Sequence, residues 1–120
     1  MKVTDADLFE SLDFLKDEDM TISKARARRV LIEEGRKNLK ARLMNESGET
    51  AISKQETAAY AHPDYRALLL KLEEAIRDDE HCRCLVDYHK ARIEIWRSQA
   101  ANQRAIDRVS ILLLFLDLLY

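Results

Sequence analysis

The chain has 120 residues, a length that suits one domain, and its two Gly and single Pro supply few turns, so a strand-rich sandwich or barrel is excluded. Apolar residues make up 47% and charged residues 35%, enough to build a core. A net charge of −2 hides any preference for nucleic acid or for an acidic partner.

The first helix opens at Thr4, with Asp7 three residues on, an S/T-x-x-D form of the capping box. Leu8, Leu12 and Leu15 follow on one face. Asp17-Glu18-Asp19 weakens that stripe, yet no Gly or Pro interrupts it, so one helix running to about Met44 is expected, with a kink near Asp19 as the alternative. Asn45-Glu46-Ser47-Gly48 is the stop signal, Gly48 being free to take a left-handed conformation. Ser53 and Glu56 form a second capping box, opening a short helix through about Ala61. Pro63 then restarts the chain, because the residue before proline leaves helical geometry.

From Tyr65 onward runs the clearest pattern. Tyr65, Leu68, Leu72, Ala75, Asp79, Cys82, Val86, His89, Ile93, Trp96, Ala100 and Gln103 alternate at spacings of three and four, a heptad-like stripe. Leu69 and Ile76 widen it. A helix over 64–108 would be about 65 Å long at ~1.5 Å per residue, too long for a compact globule of this size. The fold class expected is therefore all-α, an elongated antiparallel, coiled-coil-like helical hairpin with a short connecting helix. Residues 1–108 read as one domain and 109–120 as an apolar C-terminal extension. The stripe should pack on Leu8, Leu12, Leu15, Ile22, Val30 and Leu43, with Trp96 as a core anchor.

Charge is laid out in blocks. Residues 1–21 hold seven acids and two cations, whereas 22–45 hold eight cations and two acids. Residues 73–80 are acidic, and 81–108 carry a cationic excess. Folding at the 45–63 connection sets opposite blocks face to face, which fixes register. Lys24, Arg26, Arg28, Arg29, Arg36, Lys37 and Arg42 are the candidate nucleic-acid contacts, since cations on one helix can displace counterions from phosphates. Pairing within the hairpin is the favoured use of these cations, and single replacement of Arg26, Arg29 or Arg36 should then cost little. No aromatic residue is interleaved with them, which argues against a single-strand stacking platform.

No cofactor is expected, and no catalytic residue. His81-Cys82-Arg83-Cys84 invites a zinc reading, but Cys82 and Cys84 lie about 200° apart on a helix, and the usual paired spacing is absent. Glycine-rich phosphate loops, H-E-x-x-H and nucleophile elbows are missing. Two cysteines make no disulfide framework, and no leader-like segment is read at the start, so a reducing cytoplasm is expected.

Asp5-Ala-Asp-Leu, Ile22-Ser-Lys-Ala-Arg-Ala-Arg-Arg29, Ala58-Ala-Tyr-Ala-His-Pro-Asp-Tyr65 and Ala91-Arg-Ile-Glu-Ile-Trp-Arg97 resemble segments of small helical proteins encoded by tailed bacteriophages and prophages. The resemblance covers about residues 4–108. It implies a non-enzymatic accessory protein in the bacterial host cytoplasm, binding a protein of DNA recombination or replication. Direct DNA binding, or inhibition of a host defence nuclease, is the alternative. No catalytic residue comes with it.

The last dozen residues differ from the rest. Ile111, Leu112, Leu113, Leu114, Phe115, Leu116, Leu118 and Leu119 are apolar on every side of a helix, and such a helix must be buried. Twelve residues reach only ~18 Å, well short of a membrane core of ~30 Å. These eight residues are the candidate oligomer interface, making a homo-oligomer the expected state.

Overall fold

The computed structural model describes residues 1–120 and contains only helices: α1 (Asp5–Lys16), α2 (Thr21–Glu46), α3 (Ile52–Ala61) and α4 (Pro63–Leu119). The chain gathers into two compact units, one of Met1–Glu18 with Leu85–Tyr120, the other of Asp19–Cys84. α4 contributes to both.

In the first unit α1 lies antiparallel to the 85–99 stretch of α4. The expected capping box forms in full: Asp7 N–H donates to Thr4 Oγ1 (3.1 Å), and Thr4 N–H donates to Asp7 Oδ2 (3.0 Å). Contacts then step in opposite directions along the two helices. Val3 exchanges two hydrogen bonds with the Gln99 amide, Trp96 Nε1 donates to Asp5 (2.9 Å), Arg92 meets Asp7 (2.7 Å), and Ser11 meets His89 (2.9 Å). Leu8 and Leu15 turn inward, but Leu12 is exposed. Seven-residue spacing explains this: the inner positions run Leu8, Ser11, Leu15, so Ser11 takes the place expected of Leu12. Trp96 is half-buried rather than a core anchor.

In the second unit α2 runs antiparallel to the 63–84 stretch of α4, and α3 packs on α2. Antiparallel order follows from Arg28 beside Glu74 and Asp78, and from Tyr65 lining one trough with Arg36, Lys37 and Lys40. Leu43, Ala59, Leu72 and Ala75 form the buried centre, with Cys82 on the same stripe. The inner stripe of α2 runs Ile22, Ala25, Arg29, Ile32, Arg36, Leu39, Leu43 by alternating spacings of three and four, and of these Arg36 alone is exposed. Counting seven from Ile22 reaches Arg29, not Val30, and Val30 accordingly lies exposed.

Two local expectations are corrected. The first helix does not continue to Met44. It stops at Lys16, and Asp17 (φ 52°) and Met20 (φ 58°) take left-handed conformations around a turn. Three consecutive acids at 17–19 supply no apolar contact to hold another helical turn. The Ser53–Glu56 capping box also fails to form: α3 starts after Ala51 with no side-chain cap, and Glu56 instead reaches Lys40 (3.8 Å). Gly48 is left-handed (φ 74°), and Pro63 begins α4 after an extended His62. Residues 109–119 are a direct continuation of α4. No helix is long and apolar enough to cross a membrane.

Candidate functional site

The basic helix divides into paired and free cations. Arg29, on the inner stripe, donates to Asp79 (3.2 Å) and Glu80 (2.9 Å) across to α4, and to Glu33 (3.0 Å) on its own helix. Glu33 and Glu80 foremost hold its guanidinium above the usual arginine range. Asp79 is only 3% exposed, and its carboxylate is neutralised by Arg29 and, more distantly, by Arg83 of its own helix (3.9 Å). Arg28 reaches Asp78 (3.5 Å) and Glu74 (3.9 Å) at the surface; Lys37 pairs with Glu34 (3.5 Å) and Arg42 with Glu46 (3.7 Å). Lys24, Arg26 and Arg36 make no ion pair.

Around Arg36 the structure assembles something the linear order conceals. Arg36, Lys37 and Lys40 of α2 line an open trough of about 330 Å³ together with Tyr60 of α3 and Tyr65 of α4. Lys40 Nζ sits 4.9 Å from the centre of the Tyr60 ring, and Tyr60 meets Tyr65 edge-on at 5.2 Å. Tyr60 foremost raises the Lys40 pKa above the usual lysine range despite partial burial, so this side chain remains an ammonium. No carboxylate lines the trough. No aromatic residue is interleaved with these cations along the chain, yet the reversal through α3 returns residues 60–65 beside 36–40.

The first unit holds a buried polar layer. Ser11, 0% exposed, lies 2.9 Å from His89 Nδ1, and the imidazole stacks on Phe14 at 4.3 Å. Arg92, also buried, pairs with Asp7 (2.7 Å) and Glu10 (3.4 Å), and its Nε has no partner. Burial first, then the neighbouring Arg92 charge, push the His89 pKa down. A serine and a histidine in contact suggest nucleophilic chemistry, but here Ser11 is fully buried and Phe14 covers the ring. The arrangement orients α1 against α4. His81 and Cys84 are exposed, Cys82 is buried in the stripe, and no three metal-ligating side chains converge.

Residues 109–119 form the largest uncovered apolar surface. Their apolar side chains are 49% to 85% exposed. Continuing the inner stripe of α4 by threes and fours beyond Ala100 gives Gln103, Asp107, Ser110, Leu114 and Asp117, nearly all polar, and Gln103 bonds to Asp107 (3.0 Å). One residue earlier runs a fully apolar series, Ile106, Val109, Leu113, Leu116, Tyr120. That offset turns the apolar seam by about 100° from the face that pairs within the chain.

No family model, no curated protein and no solved structure matches this chain.

Proposed function

We propose that the protein acts by binding macromolecules rather than by catalysis, and that it does so as an assembly of its own copies joined through residues 106–119. The observation that carries this reading is the exposure of Ile111, Leu112, Leu113, Leu114, Phe115, Leu116, Leu118 and Leu119, together with the turned seam that no helix of the same chain faces. Each fully buried side chain of this kind is worth roughly 1.5–3 kcal/mol. Four from each of two copies would contribute roughly 12–24 kcal/mol, against association costs on the order of 4–15 kcal/mol. A second copy offers the same seam by symmetry, so the contact is self-complementary. The phage resemblance supports the finer role, an accessory factor that presents several copies of its helical surface to a protein of DNA recombination or replication.

Sedimentation equilibrium without lipid tests the assembly. The whole chain should sediment as a dimer or higher oligomer, and the double variant Leu113→Glu/Leu116→Glu as a monomer with unchanged helicity. A monomeric whole chain that floats with lipid vesicles would assign this surface to a membrane interface and overturn the proposal, as would a monomer that ignores lipid.

A further inference from the structure

We infer that the trough formed by Arg36, Lys37, Lys40, Tyr60 and Tyr65 is a binding site for single-stranded nucleic acid, taking a phosphodiester on the cations and an unstacked base on the Tyr60 ring. It belongs to the second unit and involves none of the residues of the self-association surface.

The charge argument begins on the inner stripe of α2. Two of its seven positions by spacing are arginines, and they are treated differently: Arg29 is half-buried, Arg36 exposed. Arg29 meets the buried Asp79 and exposed Glu80, whereas Arg36, one heptad later, meets no acid at all and opens into the trough. A cation on a pairing stripe that has no carboxylate opposite it contributes nothing to the pairing. Lys37 stands beside it, its partner Glu34 well exposed, and Lys40, whose partner Glu56 lies 3.8 Å away and outside the trough lining, is one turn on. Three cations within five residues, with no carboxylate in the lining, make a locally positive concavity in a chain whose net charge is −2. Such a site attracts a polyanion and releases counterions when it binds.

Charge alone would accept any anion. The tyrosines narrow the choice. Tyr60 is 50% exposed, with the Lys40 ammonium near its ring and the Tyr65 edge propping it in place. An aromatic ring held upright next to cations is the pairing of parts used to grip single strands, where bases stack on rings while phosphates meet cations. A duplex keeps its bases stacked inside and presents no free base face to a trough walled by three helices. An acidic peptide satisfies the cations but leaves the ring unused. A single strand supplies both groups on one flexible backbone.

The test is fluorescence anisotropy of a labelled oligo-dT strand with the whole chain and four variants. Tyr60→Leu should weaken binding roughly tenfold or more, the loss of one base stack, while Tyr60→Phe should bind as the parent does. Arg36→Gln should weaken binding and lower the slope of log affinity against log salt by about 0.7, one phosphate contact on a single strand. Lys24→Gln, a surface cation outside the trough, should change neither the stacking loss nor the preference for the single strand. The duplex of the same sequence should compete poorly, and poly-glutamate at equal charge should not displace the strand. The inference is overturned by absence of oligo-dT binding at low salt, by equal binding of Tyr60→Leu, or by poly-glutamate competing as well as the strand. Should Tyr60→Leu lose helicity, the exposed and unpaired Arg36→Gln decides alone: an unchanged affinity and salt slope would reject the site.

Discussion

His89 shows how one buried side chain couples stability to pH. Burial foremost, then Arg92, hold its pKa below the ordinary histidine value, while Glu10 pulls weakly the other way. Ser11, Phe14 and Tyr88 surround the ring without adding charge at neutral pH. Protonation therefore favours the unfolded chain. The stability this residue contributes is complete above about pH 6.5 and is lost as the pH falls through that value toward the depressed folded pKa. Asp7, lowered chiefly by the Thr4 backbone and side chain and by Arg92, works in the same sense at lower pH, its contribution vanishing as the pH drops below the ordinary carboxylate range. Thermal melts from about pH 8 down to about pH 5 should show a falling Tm, and His89→Gln should flatten that fall. Because Asp79 is buried and keeps only the more distant Arg83 when Arg29 is removed, Arg29→Ala should lower the urea midpoint measurably, beyond the near-zero loss of a surface pair. The double change Arg29→Met/Asp79→Leu, which leaves no buried charge behind, should cost less than that single replacement.

At the level of elements, the break between α1 and α2 depends on two residues in left-handed geometry that are not glycine. Met20 carries no capping hydrogen bond and its side chain is exposed, so its conformation brings a steric cost with little packing in return. Met20→Gly should raise the unfolding free energy by about 0.5–1 kcal/mol, read from the shift in urea midpoint at constant slope. A loss of stability would mean that the Met20 side chain does hold the turn. α3 makes a related point. With its capping box unformed, its place is held by packing on α2, including buried Ala59 and the Lys40–Glu56 and Lys40–Tyr60 contacts. The element that shapes the trough is thus held by tertiary contacts rather than by its own start signal.

Taken whole, the molecule buries few large apolar side chains: Val3, Leu43 and Leu72 are the ones that leave solvent almost completely. Polar layers, Ser11–His89 in one unit and Arg29–Asp79 in the other, occupy positions where a stronger core would place leucine. Such layers specify register but add little net stability. Assembly through residues 106–119 would supply the missing burial, and native-state stability would then rise with protein concentration by mass action. Tm measured by scanning calorimetry should increase across a hundredfold dilution series for the parent chain and stay constant for Leu113→Glu/Leu116→Glu. A concentration-independent Tm in the parent would count against the assembly.

Helix content, the antiparallel order, the Thr4–Asp7 cap, the Gly48 and Pro63 punctuation and the facing of opposite charge blocks were legible in the sequence, because each depends on local chemistry or on spacing along one helix. The break at Asp17–Met20 was legible only as the alternative kink near Asp19, since no Gly or Pro marks it and its left-handed residues are unusual types for that geometry. The choice of Ser11 over Leu12 and of Arg29 over Val30 as inward residues was not legible. A stripe shifted by one residue looks equally periodic, and only the facing helix selects the phase. The trough lay furthest from view. Its cations and its tyrosines are separated by twenty residues or more in the chain, and only the reversal through α3 brings the two kinds of group onto one surface.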